Sequence, residues 1–211
     1  MEVQCFTVGA FQVNTYLLKD ESTGKCAIVD TGESEELVQY LQSLEPIPDI
    51  EVILLTHGHL DHAGALSSLQ SIFDVKTYLP RLEQTLFNTL PEQGDWFSAP
   101  HMNRPCGRID SLLDDGDSIK IGNSTLTFIS TPGHTPGQGC YYDEHDIFVG
   151  DTLFKGSVGR TDLPMGDHAL MQESLQRLMT LPGELRVHSG HGPTTTLSDE
   201  LRTNPFLQFL R

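Results

Sequence analysis

Val52-Ile53-Leu54-Leu55-Thr56-His57-Gly58-His59-Leu60-Asp61-His62 is the stretch that decides the fold. Its first four residues form a continuous apolar run of the kind found in strands buried on both faces. Its last six carry His57, His59, Asp61 and His62 on the turn leading out of that strand. Beyond it His62, Leu66, Leu69 and Phe73 recur at helical spacing, which predicts a helix directly after the turn. In an extended segment His57 and His59 point to one side at period two, and the onset of a helix turns Asp61 and His62 toward a neighbouring point. One loop thereby offers imidazole and carboxylate ligands to two metal positions.

Working outward, residues 3–8, 13–18 and 27–29 read as strands, separated by turns at Gly9-Ala10 and Ser22-Thr23-Gly24. Ser34 predicts the N-cap of a helix carrying Leu37, Val38, Leu41 and Leu44, which Pro46 and Pro48 end. Downstream the pattern predicts a strand over 75–79, a helix from Pro80 and a long irregular stretch from Pro91 to Arg108. A hairpin of 118–121 and 125–130 turns at Gly122-Asn123, and strands over 139–142 and 146–149 follow. Asp167 predicts the cap of a helix through Leu178 with Leu170, Ser174, Leu175 and Leu178 on one side, and 185–187 reads as a last strand. A β-rich first half is answered by a β-rich second half without repeat or linker, so a single α/β domain over residues 1–211 is expected.

Thirteen basic side chains face 29 acidic ones in 211 residues, a net charge of −16. Such a field repels phosphate backbones and anionic lipid surfaces, so neither nucleic acid nor membrane is an expected partner. No apolar run approaches the roughly 18 residues a membrane span requires. The N-terminal residues show no basic segment followed by an apolar one, and a cytoplasmic location is expected. Cys5, Cys26, Cys106 and Cys140 lie far apart, as reduced and mostly buried thiols do.

Three further candidates follow predicted strands in glycine-containing loops. They are His134 in Thr131-Pro132-Gly133-His134-Thr135-Pro136-Gly137, Asp151 in Val149-Gly150-Asp151-Thr152, and His191 in Ser189-Gly190-His191-Gly192-Pro193. These seven residue types in this order resemble the metallo-β-lactamase superfamily, from the Val29-Asp30-Thr31-Gly32 turn to Gly190-His191-Gly192-Pro193. The resemblance implies an α/β fold of four layers, the αββα sandwich, with a metal site at the rim of the two sheets. It implies that His57, His59 and His134 hold one metal, that Asp61, His62 and His191 hold a second, that Asp151 bridges them, and that Asp30 supports the metal loop from behind. Two divalent ions are therefore expected, zinc first, with iron or manganese equally suited to imidazole and carboxylate. Asp61, Asp151 and a bridging hydroxide set three negative charges against four positive ones, which makes close metals tolerable. Such a pair lowers the pKa of bound water from 15.7 toward about 7 and polarises a carbonyl oxygen. Hydrolysis then needs no side-chain nucleophile, and Asp61 is the expected catalytic residue that orients the water or takes its proton.

Gly150-Asp151-Thr152-Leu153-Phe154, the segment from Gly156 to Pro164, and Thr203-Asn204-Pro205-Phe206-Leu207 resemble the glyoxalase II-like branch, particularly its short bacterial type. This likeness implies a small-molecule substrate, an acyl thioester such as S-lactoylglutathione. Longer members of that branch carry a C-terminal helical extension that holds glutathione, and the residues after His191 are too few to form it. Arg160, nine residues past Asp151, and Lys155 are the expected partners of an anionic substrate group, with Arg104 and Arg108 as further local cations. Trp96, Phe97, His101 and Met102 suit either a mobile cover over the substrate or the edge of the core. His101, His145, His168 and His188 read as loop, turn, helix-start and strand-end residues, and among them His188, three residues before His191, is the first candidate to support the ligands. The alternative chemistry is that of a persulfide dioxygenase, a related branch with one iron on two His and one Asp, matched by His57, His134 and Asp151. A non-catalytic metal-binding domain is disfavoured by the completeness of the ligand set. The sequence leaves the oligomeric state open.

Overall fold

The computed structural model describes residues 1–208 and 210. One six-stranded sheet runs in chain order: β1 (Glu2–Val8), β2 (Val13–Lys19), β3 (Lys25–Val29), β4 (Asp49–Leu54), β5 (Lys76–Pro80) and β6 (Ser111–Leu113). The first three strands are antiparallel, and β3 through β6 are parallel. The second sheet contains β7 (Ser118–Ile121), β8 (Ser124–Ser130), β9 (Gly139–Tyr142) and β10 (Asp146–Gly150). It continues through β13 (Arg186–Ser189) to β14 (Thr195–Thr196), while β11 (Leu153–Phe154) and β12 (Ser157–Val158) form a separate ribbon. Eight α-helices are described: α1 (Glu36–Ser43), α2 (Leu60–Ala63), α3 (Leu66–Ile72), α4 (Gln84–Phe87), α5 (Leu90–Trp96), α6 (His168–Leu178), α7 (Leu197–Thr203) and α8 (Pro205–Gln208).

Strand periodicity explains the layering. Along β3, Ala27 and Val29 face the second sheet, where they pack with Phe128, Tyr141 and Phe148, while Cys26 and Ile28 join the cluster made with Leu37, Val38 and Leu41 of α1. Along β10, Phe148 enters the same inter-sheet core, and Ile147 and Val149 pack outward against Met171, Leu175 and Leu178 of α6. Both central strands are thus apolar on both faces, the condition for a helix–sheet–sheet–helix stack. The four-layer sandwich expected from the sequence is the observed fold.

Several boundaries differ from the pattern-based expectation. The helix after β3 begins at Glu36, with Glu35 in the capping position, so Ser34 is not its N-cap. The helical run from His62 to Phe73 is two helices, with Gly64 closing α2 and Ala65 opening α3. The stretch from Pro91 to Arg108 is not wholly irregular: α5 covers Leu90–Trp96, with Pro91 in its first turn, where a missing N–H costs nothing. On α6 the buried face is Met171, Ser174, Leu175 and Leu178, while Leu170 is exposed. Asp167 caps α6 as expected, accepting from the Ala169 and Leu170 amides.

Candidate metal centre

Strand direction collects the candidate residues at one rim. The loop His57–His62 follows β4, and Asp30 follows the parallel strand β3. Because β8 and β10 are both antiparallel to β9, and β13 is parallel to β10, the segments holding His134, Asp151 and His191 leave their strands in the same sense. The rim is stitched across the two sheets by the Asn14 amide on Gly190 O at 2.7 Å, the Gly139 amide on Thr56 O at 3.1 Å, and the Tyr141 hydroxyl on Leu55 O at 2.7 Å.

His57, His59 and His134 converge on one point. His57 Nε2 lies 3.1 Å from His59 Nδ1, which lies 3.0 Å from His134 Nε2. The other ring nitrogens fix the tautomers. Thr56 Oγ1 donates to Asp30 Oδ2 at 2.8 Å, so the proton between Thr56 Oγ1 and His57 Nδ1, 3.0 Å apart, belongs to the imidazole. His134 Nδ1 donates to the Arg160 carbonyl at 2.7 Å. Both rings therefore turn bare Nε2 lone pairs toward the shared point, the arrangement by which supporting hydrogen bonds prepare a metal ligand.

His62, Asp61 and His191 form the neighbouring group. His62 Nδ1 donates to Asp30 Oδ2 at 2.8 Å, which leaves Nε2 facing Asp151 Oδ1 at 3.3 Å and Asp61 Oδ2 at 3.6 Å. His191 Nε2 lies 3.2 Å from Asp61 Oδ2 and 3.6 Å from Asp151 Oδ2, and that same Asp151 oxygen is 3.6 Å from His134 Nε2. Asp151 thus lies between the two groups. Asp30 serves both, directly through His62 and by way of Thr56 through His57; the sequence reading anticipated Asp30 but not Thr56.

The donor set fits a pair of cations. His62 Nε2 and Asp151 Oδ1 are buried 3.3 Å apart without a well-formed hydrogen-bond partner, and a carboxylate oxygen facing imidazole nitrogen at this depth calls for a positive charge between them, a proton on the ring or a metal ion. Burial and then the facing His62 hold His57 well below its ordinary range, and burial and then His134 push His59 down to about 3. Both rings are accordingly neutral, as ligands must be. His62 shows the opposite demand: burial opposes its charge, but Asp61, Asp151 and Asp30 outweigh burial and raise it well above its ordinary value. Burial likewise works against ionising Asp61 and Asp151, and His62 more than offsets it, so both stay below the usual carboxylate range. The carboxylates call for a cation at this point, and a metal ion answers that need.

A cavity of about 380 Å³ opens onto these groups, with His59, Asp61, His134, Asp151 and His191 at its base and Phe11, Leu60, Phe97, Phe154, Val158 and Leu163 among its walls. Phe97 meets Phe11 edge-on, centroids 5.6 Å apart, so it covers this cavity rather than the core. Arg160 also reaches the wall, but its exposed guanidinium makes a two-point pair with Asp162 at 2.7 and 2.8 Å. Its contact with the centre is through its carbonyl, on His134. Lys155 departs from expectation, because the β11–β12 turn carries it to a separate surface groove shared with Asp199 and Glu200. Arg104 and Arg108 are also engaged elsewhere, on Glu33 O and on Asp110. His188 supports no candidate ligand, since it pairs with Asp146 Oδ1 at 2.7 Å, at the opposite end of β10 from Asp151. Cys140 is a buried thiol, pushed up to about 11 by burial.

Comparison with known proteins accords with this geometry. The model of the metallo-β-lactamase superfamily matches residues 8–191. The hydroxyacylglutathione hydrolase GloC of Haemophilus influenzae is 36% identical over 218 residues, covering 98% of this chain and 98% of that protein. Among solved structures, the BLEG-1 B3 metallo-β-lactamase superposes with a TM-score of 0.88 at 35% identity, over 98% of this chain and 99% of that one. The protein TTHA1623, solved in a di-iron-bound form, gives a TM-score of 0.85 at 38% identity, over 97% of this chain and all of that one. Two sheets between helices, a rim of histidines and carboxylates prepared for metal, and a match from the first strand to His191 make this chain a member of the metallo-β-lactamase superfamily.

Proposed function

We propose that this chain is a metal-dependent thioesterase whose substrates are small acyl thioesters of the hydroxyacylglutathione type. The observation that carries the reading is a largely apolar cavity opening directly onto the two ligand groups. The set assigned to two divalent ions, zinc, iron or manganese, is His57, His59 and His134 for one, Asp61, His62 and His191 for the other, with Asp151 shared. Ions held there would acidify a water and polarise the thioester carbonyl. Asp61, partly open to the cavity, is proposed to hold that water and accept its proton. Phe11, Phe97 and Val158 supply apolar contact for the substrate and exclude bulk water around the carbonyl. The similarity to the hydroxyacylglutathione hydrolase GloC supports the choice of thioester.

Because Asp162 neutralises Arg160, an anionic substrate group finds no free guanidinium at the wall unless it displaces that partner. The test is hydrolysis of S-lactoylglutathione and of an uncharged acyl thioester by protein of measured metal content. Turnover of either with near two metals per chain is the expected result. Oxygen uptake with glutathione persulfide at one iron per chain, without thioester cleavage, would overturn it in favour of a persulfide dioxygenase.

A further inference from the structure

Glu83 ends the short 3-10 turn Arg81–Glu83 between β5 and α4, and it is fully buried. It makes no ion pair among the described residues; its carboxylate is held by two backbone amides from different loops, with the Thr135 side chain beside it. Gly58 N, between His57 and His59, donates to Oε2 at 2.7 Å, and Gly137 N, three residues after His134, donates to Oε1 at 2.6 Å. The approach is close enough to demand glycine at both positions, because a Cβ on Gly58 would lie 2.7 Å from Phe87 N and one on Gly137 would lie 2.6 Å from Glu83 N. A second buried side chain reinforces one end. Gln93 of α5 accepts from Leu60 N at 2.7 Å and donates to Gly58 O at 2.9 Å, so the loop is held on both sides of His59.

We infer that Glu83 is a positioning residue of the metal centre, its carboxylate tying the His57–His62 loop to the His134 loop and so setting how His59 and His134 meet. These two ligands come from different sheets, and among the described residues no side-chain hydrogen bond to a common third residue aligns them, so the spacing of their loops fixes their separation. A carboxylate suits this work because it offers one acceptor oxygen to each amide. A carboxamide offers one acceptor only and turns an N–H toward the other amide, releasing one loop. The inference rests on the proposed reading of the cluster as a metal centre and is independent of which substrate is cleaved.

The test uses the full chain loaded with zinc, with occupancy at each position read by anomalous scattering at buffered metal concentrations, and Glu83→Gln and Glu83→Ala as variants. Zinc affinity at the His57, His59 and His134 position is expected to fall by about 10-fold or more, while the Asp61, His62 and His191 position changes by less than about 3-fold. Equal weakening at both positions would make Glu83 a general structural residue, and unchanged affinity at both would also overturn the inference. A second measurement needs no variant: in the metal-free wild type, hydrogen exchange at the Gly58 and Gly137 amides should be as slow as in β4 and β8. Free exchange at either amide would show that the tie is absent and would overturn the inference even if thioester hydrolysis were established. Absence of thioesterase activity in the metal-loaded wild type, with the affinity pattern of the variants as expected, would instead fault the functional reading alone.

Discussion

Asp30 carries more of the centre than its distance from the cavity suggests. It adopts a left-handed backbone conformation, φ 57°, which costs a non-glycine residue energy and persists only when neighbours overdetermine it. Here they do: one oxygen takes the Thr56 amide, and the other takes the Thr56 hydroxyl and His62 Nδ1. Asp30→Asn replaces one acceptor by a donor and frees the orientation of His62, so metal affinity should fall about 10–100-fold, measured by chelator competition, with the secondary structure kept. Asp61→Asn should act differently. It keeps the fold and at least part of the metal but loses about 100-fold or more in kcat, because a carboxamide cannot take the water's proton. Wild-type turnover at full metal loading would remove Asp61 from that role. Asp162→Ala tests the wall: freeing Arg160 should lower KM for a carboxylate-bearing thioester and leave an uncharged one unchanged. At this scale the sequence was legible wherever one residue type repeats at ligand spacing, as in His57, His59, Asp61 and His62. Glu83, Gln93 and Thr56 were not, because a lone polar residue in a helical or turn segment carries no pattern, and its meaning lies in a backbone group distant in sequence. Arg160 shows the converse, since the residue was found but the atom that matters, its carbonyl, is identical in every amino acid.

The parallel pair β10–β13 shows how an element holds part of the centre. Asp146 opens β10 opposite Arg186 and is buried with His188 at 2.7 Å and Arg186 at 2.6 Å, so one carboxylate locks the two strands whose far ends lead to Asp151 and His191. Removing its charge weakens two charge-assisted hydrogen bonds, but Arg186 is more than half exposed and stays solvated, so the change costs about 1.5 kcal/mol. Asp146→Asn should therefore lower Tm by about 3–6 °C in a chain of this length. Burial opposes the Asp146 charge, but His188 and Arg186 prevail and hold the carboxyl below its ordinary value. A depressed folded value stabilises above the unfolded value, near 3.8, and that contribution disappears as pH falls through the folded one. Wild type should lose stability more steeply than Asp146→Asn on acidification below about pH 4. The long strands and α6 were legible because their apolar spacing spans several turns or pleats. The β11–β12 ribbon and β14 span two residues each, too few for a period to register, and α5 was obscured by Pro91 and Gly94, which read as breakers.

For the whole molecule, the two sheets share one inter-sheet core yet divide the candidate ligands between them. The loop after β4 carries His57, His59, Asp61 and His62, and the second sheet supplies His134, Asp151 and His191. Metal at the rim would therefore cross-link the layers where Asp30, Asp61 and Asp151 otherwise gather negative charge in a chain already at −16. Binding to the folded form alone stabilises by about 2.7 kcal/mol at a free metal concentration 100 times Kd, and this is lost on chelation. Removing the metal should accordingly lower Tm by about 5–11 °C. The inter-sheet core around Phe128 and Phe148 contains none of the candidate ligands, so the far-UV circular dichroism of the metal-free protein should match that of the loaded one. Restoring zinc, iron or manganese should recover the higher Tm, and the ion giving the largest recovery at equal free concentration is the one the centre binds most tightly. A Tm indifferent to chelation in protein of verified metal content would mean that the rim does not hold the ion, and would detach the sandwich from the chemistry proposed for it.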